Sequence, residues 1–370
     1  MNAPAIIHDF YDAEDTRLAA MLPHLRFLDE ALCESDLSVE KAVIHRPDEQ
    51  FGFLHETAII EYHGVLYASW YNCPETELSG YTPICGKRSF DRGITWSDLE
   101  ILCDDKSETV LYCPPVYGIC DDQLYMLVNQ MVSPDHMHAL DLYRLNNETA
   151  QFELLWSRPI PFKLNTNVVT LPNGKLMLPG RIAATLDGFP NTPAVLIADD
   201  GRIDTEWRLV KIAENGDLPD GKKLVHPELT VMQTEDTLFM FCRNDERHVP
   251  LAYASHDNGE SWSTLCAHDV PYVGSKMYAG TLSDGRKYLV ANIDTYDRAR
   301  LAVYFTETGS RHFTKRQILF DSKQYPLEGA VACHYPAACE FDNKLYIIAT
   351  LNYEWLRRGA VVFTLDLKDV

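Results

Sequence analysis

Glu228 and Arg243 bracket one short hairpin in HPELTVMQTEDTLFMFCRND, so a carboxylate and a guanidinium can face the same end of a sheet. Such a pair can polarise a nucleophile or hold an anionic group, and it can equally be a structural ion pair. GFLHETAII supplies His55 and Glu56, and HYPAACEFDNKLY supplies His334 and Tyr335. Imidazole, carboxylate and phenol are the groups that proton transfer and nucleophilic attack require. Asn165 and Arg181 lie in NTNVVTLPNGKLMLPGRI, Lys276 opens KMYAGTLSDGRKYLVANI, His226 precedes Pro227, and Trp70 and Tyr71 end a strand-like run in LYASWYN. Other clusters carry less. His136 and His138 have strand spacing but no third ligand beside them, so no metal is expected. There is no GxSxG, HExxH or phosphate loop, and no GxGxxG after a strand, so no cofactor is expected either.

The elements that must position these groups are short strands. From about residue 40 the chain alternates apolar and polar residues between Asp-Gly, Asn-Gly and Asp-Asn turns, the pattern of an all-β protein. Six segments align on a strand, a turn and a second strand, beginning at His55, Cys113, Asn165, Pro227, Lys276 and His334. Each repeat has room for four strands, and six such units stacked radially form a six-bladed β-propeller. First strands line the channel of a propeller. Their aligned column holds His55 and Glu56, Cys113 and Pro114, Asn165 and Thr166, Pro227 and Glu228, Lys276 and Met277, and His334 and Tyr335; a late column holds Tyr71, Asn129, Arg181, Arg243, Asn292 and Thr350. Polar groups at inner positions cost stability unless they meet water, a partner or a ligand, so these columns mark the site. Ahead of the repeats, Leu and Met at helical intervals over residues 12 to 33, with Pro23 dividing or ending the run, predict a short helical segment. The expected division is a helical extension over 1–40 and a propeller over 41–370.

Two octamers, SFDRGITW from Ser89 and SHDNGESW from Ser255, share Ser, Asp, Gly and Trp at the same offsets, and the repeat places both in the turn between third and fourth strands. LNNETAQF from Leu145 and TETGSRHF from Thr306 echo them without the Asp. In such a turn Asp91 and Asp257 accept backbone N–H groups, Gly93 and Gly259 take positive φ, and Trp96 and Trp262 wedge between strands or blades. The octamers resemble the Asp-box of the sialidase-like superfamily, whose members are six-bladed propellers. In that family these turns lie away from the active site, so the octamers speak to fold, and Asp91 is a position where substitution should harm folding. The resemblance implies Tyr335 as nucleophile, Glu228 as the base that polarises it, and Arg243 as one of three arginines that grip a sugar carboxylate. Leu54 stands where the first of those arginines belongs, so the triad is incomplete. Arg181 and Lys276 are the further cations best placed by the repeat; Arg298 and Arg300 either supply another or stand exposed on an outer strand.

Acidic residues outnumber basic ones 54 to 33, for a net charge of −21, which disfavours nucleic acid and anionic membranes as partners. No apolar run approaches a membrane span and no signal peptide is evident, so a cytoplasmic protein with reduced cysteines is expected. Three readings follow. In the leading one the chain is an exo-acting glycoside hydrolase acting on an oligosaccharide or glycoside that can be anionic. Tyr335 and Glu228 would then be joined by Glu56 or His55 as acid, with Arg243, Arg181, Lys276, His226, His334, Asn165, Tyr71 and Trp70 around the sugar. A lyase acting on a uronic acid is the second, motivated by His55, His226 and His334. A non-catalytic sugar-binding propeller is the third.

Overall fold

The computed structural model describes residues 8–9, 11–133, 136–183, 192–271, 274–293, 297–324, 327–354 and 356–370. Strands form six antiparallel sheets, one for each repeat. The first blade runs Phe53–Tyr62, Val65–Cys73, Ile84–Ser89 and Glu100–Cys103, and the second Leu111–Cys120, Gln123–Ser133, His136–Asn146 and Gln151–Arg158. In the third, Phe162–Leu164 and Val169–Thr170 share the strand Leu176–Ile182, followed by Thr192–Ala198 and Arg208–Lys211. The fourth is Leu229–Gln233, Leu238–Cys242, Leu251–Ser255 and Cys266–His268; the fifth is Tyr278–Thr281, Lys287–Asn292, Arg300–Thr306 and Phe313–Asp321. The sixth holds Ala332–Phe341, Lys344–Glu354 and Arg357–Asp366, and takes its outer strand, Val39–His45, from the other end of the chain. That exchange joins the last blade to the N-terminal segment, as the first strands of the sixth and first blades meet at the seam.

The apolar core is divided. Five buried clusters lie between neighbouring blades, such as the one joining Tyr71, Tyr117 and Met126 and the one joining Met177, Met240 and Leu251. Burial between blades holds each to the next and leaves the ring centre to polar side chains. The octamer turns are built alike. Asp91 accepts Thr95 N at 2.8 Å and Ser89 Oγ donates to Asp91 at 2.9 Å; Asp257 accepts Ser261 N at 2.9 Å and Ser255 Oγ donates to it at 2.8 Å. Gly93 and Gly259 have φ of +83° and +85°, and their N–H groups donate to the same serines. Trp96 and Trp262 pack against inter-blade clusters. Both turns join third to fourth strands, as do the two weaker echoes.

The N-terminal segment departs from the predicted helix. Only Ala13–Met21 is helical, capped by Asp12, whose side chain accepts the N–H groups of Glu14 and Asp15 at 2.8 Å. Pro23 follows the extended Leu22 and stops the helix. His24–Leu25 then pairs in parallel with the outer strand of the fourth blade, and Leu28–Glu34 with that of the fifth. Residues 28 to 33 are therefore strand, because two open sheet edges satisfy their backbone groups and Phe27 fills a core cluster. No described helix is long and apolar enough to cross a membrane.

Candidate active site

The inner strands of the first and sixth blades are interrupted at corresponding places. Strand pairing shifts between His55 and Ala58 and again between His334 and Ala337, which throws Glu56 and Tyr335 into left-handed backbone, φ 50° and 55°. Such bulges re-aim side chains, and a non-glycine residue held at this φ costs about 1–3 kcal/mol. Here the surrounding structure enforces it: Thr57 Oγ1 donates to the Tyr335 carbonyl at 3.1 Å across the seam. His226 and Arg298 have the same backbone sign. All four line one cleft of about 370 Å³ at the centre of the ring, with His55, Glu77, Leu78, Lys163, Arg181, Glu228, Arg243 and Arg358.

Arg243 is the hub. Its Nη1 donates to Glu228 Oε2 at 2.6 Å and to the Tyr335 hydroxyl, while Nε and Nη2 reach Asp245 at 2.8 and 2.5 Å. Carboxylate and phenol thus share one nitrogen and lie no more than about two hydrogen-bond lengths apart. Burial alone would raise the Glu228 pKa, but Arg243, Arg181 and Lys276 outweigh it and hold the carboxylate ionised, well below its usual range. Burial pushes the Tyr335 phenol well above 10 despite Arg243, so it rests protonated. His55 lies 4.0 Å from the Tyr335 ring, centroid to centroid, with Nδ1 at 3.0 Å from Thr350 Oγ1. Burial, then Arg358, His334 and Arg298, drive its pKa far down, so the imidazole is neutral. His334 is neutral for the same reasons, burial first and then Arg298 and Arg358, and its Nε2 is 3.0 Å from Asn352 Oδ1.

Glu56 sits deeper, its carboxylate 3.3 Å from Lys276 Nζ and 3.9 Å from Lys163 Nζ. Glu77, on the exposed connection after Val65–Cys73, accepts the Tyr71 hydroxyl at 3.1 Å. Arg298 donates to the Gly274 carbonyl at 2.8 Å and stands 5.4 Å from the Tyr335 ring centre. Arg358 is 6 % exposed and stacks on Phe53 at 4.3 Å, with its Nε and Nη1 making no hydrogen bond to any described residue. In a chain of net charge −21, six cations gather here among the described residues, Lys163, Arg181, Arg243, Lys276, Arg298 and Arg358, around the carboxylates of Glu56, Glu77, Glu228 and Asp245. The surplus suits an anionic ligand.

Sequence candidates divide accordingly. His55, Glu56, Arg181, His226, Glu228, Arg243 and Tyr335 line the cleft; Lys276 and His334 lie behind it, against Glu56 and Asn352. Trp70 is not a sugar platform: it is fully buried between the sixth and first blades, with Nε1 on Asn72 and its ring stacked on His45. Asn165 is a clip between blades, accepting Leu229 N at 2.9 Å, and Asn129 and Asn292 bridge blades likewise. Polar inner columns thus serve two ends, which spacing alone does not separate. Tyr71 is fully buried and meets the cleft through two lining residues, Glu77, which accepts its hydroxyl, and His55, whose ring it contacts edge to face. The two alternatives for Arg298 and Arg300 divide between them: the left-handed turn before Arg300–Thr306 swings Arg298 into the cleft lining, while Arg300 pairs with Asp321 at 3.0 Å. Sequence reasoning missed Glu77, Lys163 and Arg358. Lys163 had a signal, two residues before Asn165 on an inner strand; Glu77, in a polar loop, and Arg358, across the ring seam, had none.

Fold and cleft define a six-bladed propeller of the sialidase type with a polar site at its centre. Residues 64–347, about three quarters of the chain, match the BNR repeat-like domain family, and the chain belongs to it. No curated protein matches the sequence. Among solved structures, a protein of unknown function from Dyadobacter fermentans superposes with a TM-score of 0.68 at 14 % identity, over 89 % of this chain and 99 % of its own. Trypanosoma rangeli sialidase, as a covalent intermediate with 2,3-difluorosialic acid, gives 0.66 at 16 % identity, over 90 % of this chain and 59 % of its own length. A mutant of NanB sialidase from Streptococcus pneumoniae gives 0.64 at 12 % identity, over 93 % and 71 %. At these identities the likeness is one of fold.

Proposed function

We propose that this chain is a carbohydrate-active enzyme, a retaining glycoside hydrolase that removes a terminal anionic sugar. One observation carries the reading: the Tyr335 phenol and an ionised Glu228 share Arg243 at the floor of a cation-rich cleft. In this mechanism Tyr335 Oη attacks the anomeric carbon as the bond to the leaving oxygen breaks, and its proton passes to Glu228. A phenol suits an anionic sugar, because it approaches without the repulsion a carboxylate nucleophile would meet. The leaving oxygen needs a proton. Glu77 fits that role better than Glu56, which sits between two ammonium groups, or His55, which is neutral. Glu77, left as carboxylate, then takes a proton from the water that attacks the anomeric carbon, and Glu228 returns its proton to the Tyr335 oxygen as the bond to the sugar breaks. Arg298 and Arg358 hold the anionic substituent, so that Arg358, from the last blade, provides the guanidinium that Leu54 cannot. The covalent intermediate of Trypanosoma rangeli sialidase supports a covalent route by analogy.

The neutral imidazole of His55 against Tyr335 favours a second reading, β-elimination at a uronic acid, with His55 taking the C5 proton. One experiment separates the two. The protein is incubated with aryl glycosides of sialic and uronic acids, with their fluorinated analogues, and with oligosaccharides whose uronic acid is linked through O4, the bond that elimination breaks. Hydrolysis gives saturated sugar and a mass adduct on the peptide carrying Tyr335, absent from Tyr335→Phe. Elimination gives an ultraviolet-absorbing unsaturated uronide and no adduct. Saturable binding with neither product would leave a sugar-binding propeller.

A further inference from the structure

We propose that the N-terminal helix Ala13–Met21 is part of the site's scaffold, and that Asp15 is a positioning residue acting on Arg243 through the loop 243–250. Asp245 holds Arg243 by two bonds and His226 Nδ1 by a third at 3.0 Å, so where the Arg243 guanidinium points depends on where this loop lies. Two residues further on, the loop is fastened to the helix. His248 N donates to Asp15 Oδ1 at 3.1 Å, His248 Nδ1 lies 3.0 Å from Asp15 Oδ2, and Arg247 Nη2 meets Glu14 at 2.7 Å. Arg247 Nε also meets Asp220 at 3.0 Å, which draws in the segment leading to His226.

The helix itself is fixed by Leu18, Ala19 and Leu22, buried in a cluster with Leu224, Leu229 and Leu251. Covering that cluster requires apolar residues only. A carboxylate 1 % exposed costs stability unless it is hydrogen-bonded, and apart from the bond that closes the helix cap, both of Asp15's oxygens are directed to His248. The contacts therefore run from Asp15 to His248, along the loop to Asp245, and on to Arg243, Glu228 and Tyr335. A small displacement of a group that orients a nucleophile is enough to slow a reaction severely.

The test uses the full chain and has two arms, of which only the turnover arm rests on the proposed reaction. Hydrogen exchange is measured over peptides spanning 244–250 in wild type, Asp15→Ala, Asp15→Asn and Leu142→Ala, the last a core substitution between the second and third blades. Asp15→Ala should speed exchange of the loop about tenfold, leave the first two blades unchanged, and lower kcat about tenfold with KM nearly constant. Asp15→Asn, which can still accept the His248 N–H, should restore most of both. The proposal is overturned if the loop in Asp15→Ala exchanges like wild type, or if Leu142→Ala, at matched loss of melting temperature, loosens the loop or lowers kcat equally. Should no substrate be turned over, the exchange arm still decides the mechanical claim, and only the hydrolytic reading suffers.

Discussion

At the scale of single residues, the cleft divides its charged groups between chemistry and recognition, and two substitutions should tell them apart. Glu228→Gln removes the proton acceptor but keeps a hydrogen-bond acceptor for Arg243, whose charge Asp245 still balances. Turnover should fall roughly 10²–10⁴-fold with KM and melting temperature little changed, a split readable from steady-state kinetics and calorimetry. Unfolding instead would make Glu228 a structural ion pair. Arg358→Met keeps an unbranched side chain beside Phe53 and removes the guanidinium that stacks on its ring. Loss of a charge-assisted bond of about 1.5–3 kcal/mol should raise KM for an anionic glycoside tenfold or more, while a neutral glycoside is unaffected. Glu228, Arg243 and Tyr335 were legible in the sequence because each stands near the start or end of an aligned repeat segment. Arg358 was not, because its contact with Phe53 exists only once the last blade meets the first.

At the scale of elements, the turns and bulges carry most of the information. The octamer turn is a clasp: Ser, Asp and Gly are required because a serine hydroxyl and a carboxylate together satisfy the backbone of one tight loop. Gly259 has the harder constraint, since an added Cβ would lie 2.3 Å from Met177 Cε in the neighbouring blade, at φ +85°. Gly221 has a similar φ, +86°, with open space around it. Gly221→Ala should cost about 1 kcal/mol and Gly259→Ala clearly more, measured as the difference in denaturant midpoints. Equal losses would mean that the clasp does not lock the third blade to the fourth. The bulges at Glu56 and Tyr335 escaped the repeat alignment for a physical reason. An unpaired residue shifts register by one, which an alignment of sequence segments does not show: the shift lets His55 and Glu56 both line the cleft in the first blade, whereas in the sixth Tyr335 lines it and His334 lies behind.

At the scale of the whole molecule, burial of uncharged imidazoles couples stability to pH. His45 is lowered to about 4 and His268 to about 3, each chiefly by burial, and His55 and His334 fall well below 6.5 for the reasons given above. Unfolding restores values near 6.5, so below that pH the unfolded chain binds more protons than the folded one. Stability is therefore whole above about pH 6.5 and lost progressively as the pH falls toward the folded values. Glu228 acts in the same direction but later: its depressed folded pKa makes its contribution vanish only below the usual carboxylate range, near pH 4.5. Melting temperatures should thus fall between pH 6.5 and 4.5, and His334→Gln should flatten the slope in that window. A flat profile would mean that these imidazoles are charged in the fold.

What the sequence determined by itself was the architecture. Six repeats with the same turn chemistry can bury their faces only against one another, and Ser, Asp, Gly and Trp at fixed offsets encode the turn locally. Tertiary structure decided the allocation of polar groups. Asn165 clips two blades while Lys163, two residues earlier, faces the cleft, and Trp70 is core while its neighbour Tyr71 holds Glu77. It also turned residues 28 to 33 from the helix their spacing suggested into a strand, since the fifth blade offered an unpaired edge. In each case the deciding energy comes from a partner distant in sequence, and spacing along one segment holds no record of that partner.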